Sequence, residues 1–267
     1  FVKNKGPQLN KLSLGENLQL PKWDAYLTNL QPVSEAIKLT RIKLNKSKDT
    51  KDIPIIGFSG SPWTLFTYLT EGGSSKDFLN ARKFLWADYN NSKQIFDILI
   101  QAIVCFLELQ IKAGVNAIMF FDSWAGSIPA RFRNEFIYQP TKKMTETIRE
   151  KYPNIPIICL PKSIGEGIVE FVDIVQPNCI AVDHLTDIEF VHKSIPRGIA
   201  IQGNIDPLCL VAGGNVLKKE VDYLLNFITD RPYIFNLGHG IVPETPERNV
   251  AEIISYIREK KIGLSIS

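Results

Sequence analysis

Apolar and polar positions alternate along this chain between two spacings. Short runs rich in Ile, Val and Phe occur at Pro54–Phe58, Ala117–Phe121, Pro156–Leu160, Cys179–Val182, Ile199–Gln202 and Tyr233–Leu237. Several are apolar throughout rather than at every second position, which fits parallel strands covered on both faces. Between them the spacing becomes helical. Ser92–Lys112 places Ile95, Leu99, Ala102, Phe106 and Leu109 on one side, with Ser92 set to cap the helix and Gly114 to stop it. Val216–Ile228 aligns Val221, Leu224, Leu225 and Ile228. A last helix opens with Thr245 as cap and Pro246 at its first position, and Val250, Ile253, Ile254 and Ile257 form its predicted buried stripe. Shorter helices are predicted over Ile164–Val175 and Thr186–Lys193.

The pattern is a strand followed by a helix, six times over. Right-handed crossovers of this kind build a parallel sheet, either doubly wound and open or closed into an eight-stranded barrel. The polar residues favour the barrel. Each strand runs directly into small or reactive groups: Ser59–Ser61, Asp122–Ser123, Lys162–Ser163, Asp183–His184, Asn204–Asp206 and His239. A barrel gathers its strand ends around one mouth, where these groups would converge. No G-x-G-x-x-G follows the first strand, which argues against a dinucleotide-binding sheet. The predicted fold class is therefore α/β, a (β/α)8 TIM barrel, with residues 1–267 forming a single domain. Six units do not close eight strands, and Phe1–Lys51 offers a loop and one helix at most. With a start at Phe1 rather than Met, the barrel is expected to be N-terminally incomplete, with about six βα units present.

Composition narrows the function. The chain is 45% hydrophobic and 22% charged, an ordinary globular balance. Its net charge of +3 is mild, and the densest basic run, Arg41–Lys51, reads as a solvated loop, so no nucleic-acid partner is expected. No apolar run approaches the roughly 20 residues of a membrane span, and no secretory segment opens the chain, so a cytoplasmic protein with no membrane partner is expected. Cys105, Cys159, Cys179 and Cys209 are widely spaced beside apolar segments and read as reduced core thiols. They make no compact set with His184, His192 and His239, and no H-E-x-x-H occurs, so no metal is expected.

Four stretches carry candidate chemistry. "GFSGSPWTLFTYLTEGGSS", Gly57–Ser75, leaves a strand through glycines and a proline and enters a short apolar helix on which Tyr68 could present a phenol to a ligand. The alternative is that Trp63, Leu65, Phe66 and Tyr68 are core. "MFFDSWAGSIP" puts Asp122 and Ser123 at a strand end, where Asp122 could equally fix the loop by accepting backbone hydrogen bonds. A Ser-His-Asp hydrolase from Ser123, His239 and Asp122 is disfavoured, because no G-x-S-x-G elbow is present and adjacent side chains diverge. "NLGHGIVPETP" sets His239 between two glycines, while His184 follows Asp183 at another strand end and His192 sits in a polar helix, as if solvated. "IQGNIDP", Ile201–Pro207, brings Gly203 and Asn204, with Asp206–Pro207 turning the chain.

In this order and at these intervals, the four stretches resemble the uroporphyrinogen decarboxylase family, and the likeness covers the whole chain. The resemblance implies a (β/α)8 barrel, a homodimer, that works without metal or organic cofactor. It implies removal of carbon dioxide from the four acetate side chains of uroporphyrinogen III to give coproporphyrinogen III for haem and chlorophyll synthesis. The family's substrate-facing Tyr, Ser and His map onto Tyr68, Ser123 and His239. Its "R-Q-A-G-R" segment, a further arginine and the aspartate of its "F-S-D-I" strand would lie upstream of Phe1, so the catalytic residues are not identified and the isolated chain is expected to be inactive. Two other readings stay in view. One is a corrinoid-dependent methyltransferase relative, although "IICLPKS" lacks the histidine of that group's His-x-Cys zinc pair. The other is a non-catalytic porphyrin-binding remnant.

Overall fold

The computed structural model describes residues 9–73 and 75–264, so most of the opening Phe1–Leu9 run and Ser74 of the Gly57–Ser75 stretch fall outside the described set. The chain divides into two compact units, Phe1–Asn178 and Cys179–Ser267.

In the first unit, helix α1 (Trp23–Leu44) precedes strand β1 (Ile56–Gly60). Helices α2 (Pro62–Glu71), α3 (Leu79–Ala87) and α4 (Tyr89–Lys112) lead to β2 (Ala117–Asp122). A 3-10 turn at Ala125–Ser127 opens onto α5 (Ala130–Arg133), which passes through a π-helical turn, Asn134–Tyr138, into α6 (Gln139–Lys151). Strand β3 (Ile157–Pro161) and α7 (Gly167–Val175) follow. The three strands are parallel, with Ile56 opposite Ala117 and Ile118 opposite Ile157. Their C-terminal ends are level, since Gly60 pairs with Phe121 and Asp122 with Pro161.

Strand β3 is buried at every position, as its unbroken apolar run requires. Strand β1 alternates instead: Ile56 and Phe58 are 41% and 61% exposed, while Gly57 and Ser59 are buried. Within this unit's described residues β1 pairs only with β2, and the other edge is taken up by a side chain. The buried Gln110 of α4 accepts a hydrogen bond from the Phe58 N–H at 3.0 Å and donates one to the Phe58 carbonyl at 2.9 Å. Its amide thus substitutes for a strand neighbour at that point of the edge.

Helix α4 differs from the prediction in three respects. It begins at Tyr89, and the Ser92 hydroxyl donates to the Asp88 carbonyl at 3.0 Å rather than capping the helix. Its buried face is turned by about one residue, because Ile103 and Leu107 are buried while Ala102 and Phe106 are only half-buried. It is also long and apolar enough to cross a membrane by length and composition alone, contrary to the sequence expectation. Ile95, Leu99, Ile103 and Leu107 are buried, and α4 packs against α1, α2, α6 and β1, which makes it the central helix of this unit's core. The helices over 79–87 and 130–151 escaped the sequence reading. In α6, for example, the buried positions include Pro140, Thr141 and Thr145 beside Met144 and Ile148, which blurs the apolar period.

The second unit runs β4 (Cys179–Ala181), α8 (Ile188–Ser194), β5 (Ala200–Gln202), α9 (Pro207–Ala212), α10 (Gly214–Phe227), β6 (Tyr233–Ile234) and α11 (Glu247–Leu264). Its strands are again parallel, with Cys179 opposite Ala200 and Ile201 opposite Tyr233. Past β6 only an isolated parallel bridge joins Leu237 to Ile205, so the sixth strand is shorter than predicted. Asp206–Pro207 starts α9 rather than merely turning the chain: the Asp206 carboxylate accepts from the Leu208 N–H at 2.9 Å. Thr245 and Pro246 lie just ahead of α11, and the Thr245 hydroxyl is buried without a hydrogen-bond partner, so it is not the predicted cap. Of that helix's predicted stripe, Ile253 is buried and Ile254 exposed. In all, the protein has a parallel-strand α/β fold with six strands among the described residues.

Replacing Gln110 by Leu keeps the bulk but strands the Phe58 N–H and carbonyl. The expected loss is about 1–3 kcal/mol of unfolding free energy, read from chemical denaturation. An unchanged denaturation midpoint would show that water serves this edge equally well.

Candidate active site

Parallel α/β folds present their ligand-facing groups beyond the C-terminal ends of their strands. In the first unit that edge holds Ser61, the Asp122–Ser123 pair and Lys162–Ser163. Helix α2 starts directly above β1, with Pro62 at its first position and Gly72, at φ 77°, closing it. Its first turn is bonded to the end of β2 at three consecutive levels. The Ser61 N–H donates to the Phe121 carbonyl at 2.9 Å, the Thr64 hydroxyl to Asp122 Oδ1 at 2.8 Å, and the Trp63 indole N–H to the Trp124 carbonyl at 2.8 Å. Ser123 lies in the middle of the segment so held, half-buried in the turn after β2.

The same turn is fixed from its other side by β3. Lys162 N–H donates to the Asp122 carbonyl at 3.1 Å, and Gly126 N–H to the Lys162 carbonyl at 2.9 Å. A side chain at Gly126 would collide with the Ser163 backbone, so this contact requires glycine. Tyr68, also half-buried, is four residues beyond Thr64 and shares its face of α2, one helical turn further on. Trp63 and Phe66 are fully buried with stacked rings, so the core reading holds for them.

Asp122 is the electrostatic feature of this cluster. It is 3% exposed, and burial pushes its carboxyl up to about 7, against the pull of the Thr64 and Trp124 hydrogen bonds toward the charged form. Oδ2 has no hydrogen-bond partner. The carboxyl is engaged with Thr64, which agrees with its anticipated role in fixing the loop. Sequence reasoning missed two further groups here: Phe58 and Phe121, whose rings meet edge to face at 5.8 Å, leaving the exposed Phe58 as an aromatic surface. Their apolar character made them look like core, and only the uncovered face of β1 reveals Phe58.

In the second unit, the strand ends carry Asp183–His184, Gly203–Asn204 and His239. The Asn204 amide donates to the carbonyls of Asp183 at 3.1 Å and Thr186 at 2.9 Å. Asp183 accepts from the Leu185 N–H and the Thr186 hydroxyl, so this stretch is tied down by its own polar groups. The Gly203–Asn204 peptide is cis, and the Tyr233 hydroxyl donates to the Gly203 carbonyl. Gly238 donates its N–H to the Ile205 carbonyl at 2.8 Å and lies so close to the Asp183–His184 backbone that a side chain there would collide with it. His239 follows, exposed, on a turn anchored by its neighbour. His184 is half-buried with Nδ1 lacking a hydrogen-bond partner.

His192 corrects the sequence expectation. It is buried rather than solvated, with Nε2 3.2 Å from Asp230, its carbonyl accepting from Arg231 at 2.9 Å and its ring lying 4.8 Å from that of Phe227. Burial and the nearby Arg197 hold its pKa below the usual value. The structure therefore places Tyr68 and Ser123 beside the strand ends of one unit and His239 at a strand end of the other. Among the described residues, no group of three or more His, Cys, Asp or Glu side chains is placed to hold a metal ion. None of the four cysteines is in a disulfide bond, and burial pushes the Cys179 thiol up to about 12, far from a thiolate nucleophile at neutral pH.

The family model described as uroporphyrinogen decarboxylase (URO-D) matches residues 1–260. The chain belongs to the uroporphyrinogen decarboxylase family. The uroporphyrinogen decarboxylase of Rickettsia bellii is 36% identical over 259 residues, covering 97% of this chain and 74% of the relative. That of Campylobacter lari is 35% identical over 263 residues, with the same coverage of 97% and 74%. Among solved structures, a methyltransferase from Methanosarcina mazei superposes with a TM-score of 0.69 over 86% of this chain. At 20% identity that likeness establishes a shared fold alone, and this chain spans 64% of that one.

The buried carboxyl of Asp122 gives a pH dependence. Its folded-state pKa of about 7 lies above the unfolded value, so between about pH 4 and pH 7 the unfolded chain releases a proton that the folded chain keeps. Stability is expected to fall as pH rises through that window and then to level off. Asp122→Asn should flatten this slope, read as denaturation midpoint against pH; parallel curves for the two proteins would place the pH dependence elsewhere.

Proposed function

We propose that this protein removes carbon dioxide from the four acetate side chains of uroporphyrinogen III, giving coproporphyrinogen III in tetrapyrrole biosynthesis, and that Tyr68, Ser123 and His239 hydrogen-bond the substrate's acid groups. The observation that carries the reading is the family match over residues 1–260, within which Ser123 and His239 stand just past strand ends and Tyr68 on the helix following β1.

The chemistry suits such a site. An acetate on a pyrrole loses carbon dioxide once the ring is protonated at carbon, because the bond's electron pair then flows into the cationic ring. A proton delivered to the remaining CH2 carbon completes the methyl group, and loss of the proton from the ring carbon restores the pyrrole. The substrate is its own electron sink, and the protein's task is to orient several acids, stabilise the ring cation and deliver protons. A phenol on α2, and a hydroxyl and an imidazole on anchored turns, supply hydrogen bonds of fixed direction to those acids.

The same reading takes the chain as part of a (β/α)8 barrel, a single domain acting in the cytoplasm as a homodimer. Six strands among the described residues are two short of such a barrel, and the exposed apolar side chains of Ile56 and Phe58 are suited to cover by a neighbouring element. The chain spans about three quarters of the length of these curated relatives, so the assay is made on the protein extended to their full length.

Anaerobic assay of uroporphyrinogen III decarboxylation by the extended protein tests this directly. Tyr68→Phe, Ser123→Ala and His239→Ala should each lower kcat/KM by about ten- to a hundredfold, the worth of one hydrogen bond to a charged group. A folded, extended protein that forms no coproporphyrinogen would sink the decarboxylase reading.

A further inference from the structure

We infer that the Thr64–Asp122 hydrogen bond is a positioning device for the substrate, setting the offset between the Tyr68 phenol and the Ser123 hydroxyl so that both reach carboxylates of one tetrapyrrole. The inference deepens the proposed function and rests on its assignment of Tyr68 and Ser123 as substrate-binding groups.

Three observations carry it. First, the bond joins the two elements that bear those groups, α2 and the end of β2, and it does so next to each of them. Asp122 adjoins Ser123 in the chain, and Thr64 lies one turn, about 6 Å of helix rise, before Tyr68 on the same face. Second, the bonds on either side, from Ser61 to the Phe121 carbonyl and from Trp63 to the Trp124 carbonyl and the Ser127 hydroxyl, would hold α2 near β2 whatever residue stood at position 122. The Thr64–Asp122 pair is the link of the set that ends on the side chain next to Ser123, and it is buried at both ends, where water does not substitute for either partner. Third, the pair is a poor choice for stability. A buried carboxyl with one oxygen unbonded weakens a fold relative to an apolar side chain of similar size. Its presence beside Ser123 is accounted for by the geometry it imposes. The polar link fixes both distance and direction, which an apolar contact does not.

A substrate held by both groups at once needs them at a fixed offset, so a loosened α2 would keep both groups but misplace one against the other. Thr64→Val removes the hydroxyl at constant shape, Thr64→Ala serves as a second variant should the first not fold, and Thr64→Ser retains the bond. In the intact enzyme, the Val or Ala variant is expected to lower kcat/KM for uroporphyrinogen III by about tenfold, and the Ser variant to stay within about twofold of the parent. The decisive readout is a mutant cycle. In a Tyr68→Phe/Ser123→Ala background, removing the Thr64 hydroxyl should cost almost nothing further, because the groups it positions are gone.

An equal loss in both backgrounds, or a Ser variant as impaired as the Val variant, would overturn the positioning role and leave the bond purely structural. If Tyr68→Phe and Ser123→Ala leave turnover unchanged, the assignment of those two groups fails and the positioning role falls with it. That result is distinct from the one in which they matter and Thr64 acts independently.

Discussion

The placement of Ser123 depends on how the first turn of α2 is fastened to the end of β2. Three donors, the Ser61 backbone amide just ahead of α2 and the Trp63 indole N–H and Thr64 hydroxyl of its first turn, reach Phe121, Trp124 and Asp122 respectively. Together they surround Ser123 on a segment whose backbone polar groups would otherwise be left to solvent. The turn after β3 closes the arrangement through Lys162 and Gly126. Because β1, β2 and β3 are in level register, these loops meet at one edge without needing long connections. The parallel ladder supplies the platform, and side-chain and backbone hydrogen bonds above it fix the reactive groups in direction.

The second unit solves the same problem differently. His239 is located by the close approach of Gly238 to the Asp183–His184 backbone and by one backbone hydrogen bond to Ile205. Around it, Asn204 and Asp183 spend their hydrogen-bonding capacity on neighbouring backbone. The His239 imidazole that follows Gly238 is exposed. Positioning by close backbone contact needs glycine, whereas positioning by polar links, as at Thr64 and Asp122, needs buried partners of matched chemistry.

Much of this was legible beforehand. Each of the six strands was found within a few residues, since unbroken apolar runs such as that of β3 have few other uses in a chain of this composition. Tyr68, Ser123 and His239 stood out through the glycines and turns around them and through the family's motifs. The errors fall where a local rule met a tertiary one. Ser92 looked like a cap, but α4 begins a turn earlier and uses its hydroxyl inside the helix. His192 looked solvated in a polar stretch, but Arg231 and Asp230 bring it into the interior. The polar surface of α6 concealed a helix whose few buried side chains suffice because α4 and α7 cover them.

The sequence by itself determined the order of the six strands and of the longer helices that it flagged, the family, and the identity of the residues at the strand ends, because these follow from local periodicity, turn chemistry and motif spacing. Only the tertiary structure decided that Asp122 faces Thr64 rather than solvent, that Gln110 closes an edge of β1, and that Phe58 is exposed while Phe66 is core. Each of those outcomes depends on a partner 52 or 58 positions away or on which face of a strand is covered. Such pairings are set by packing between elements, and no local pattern encodes them.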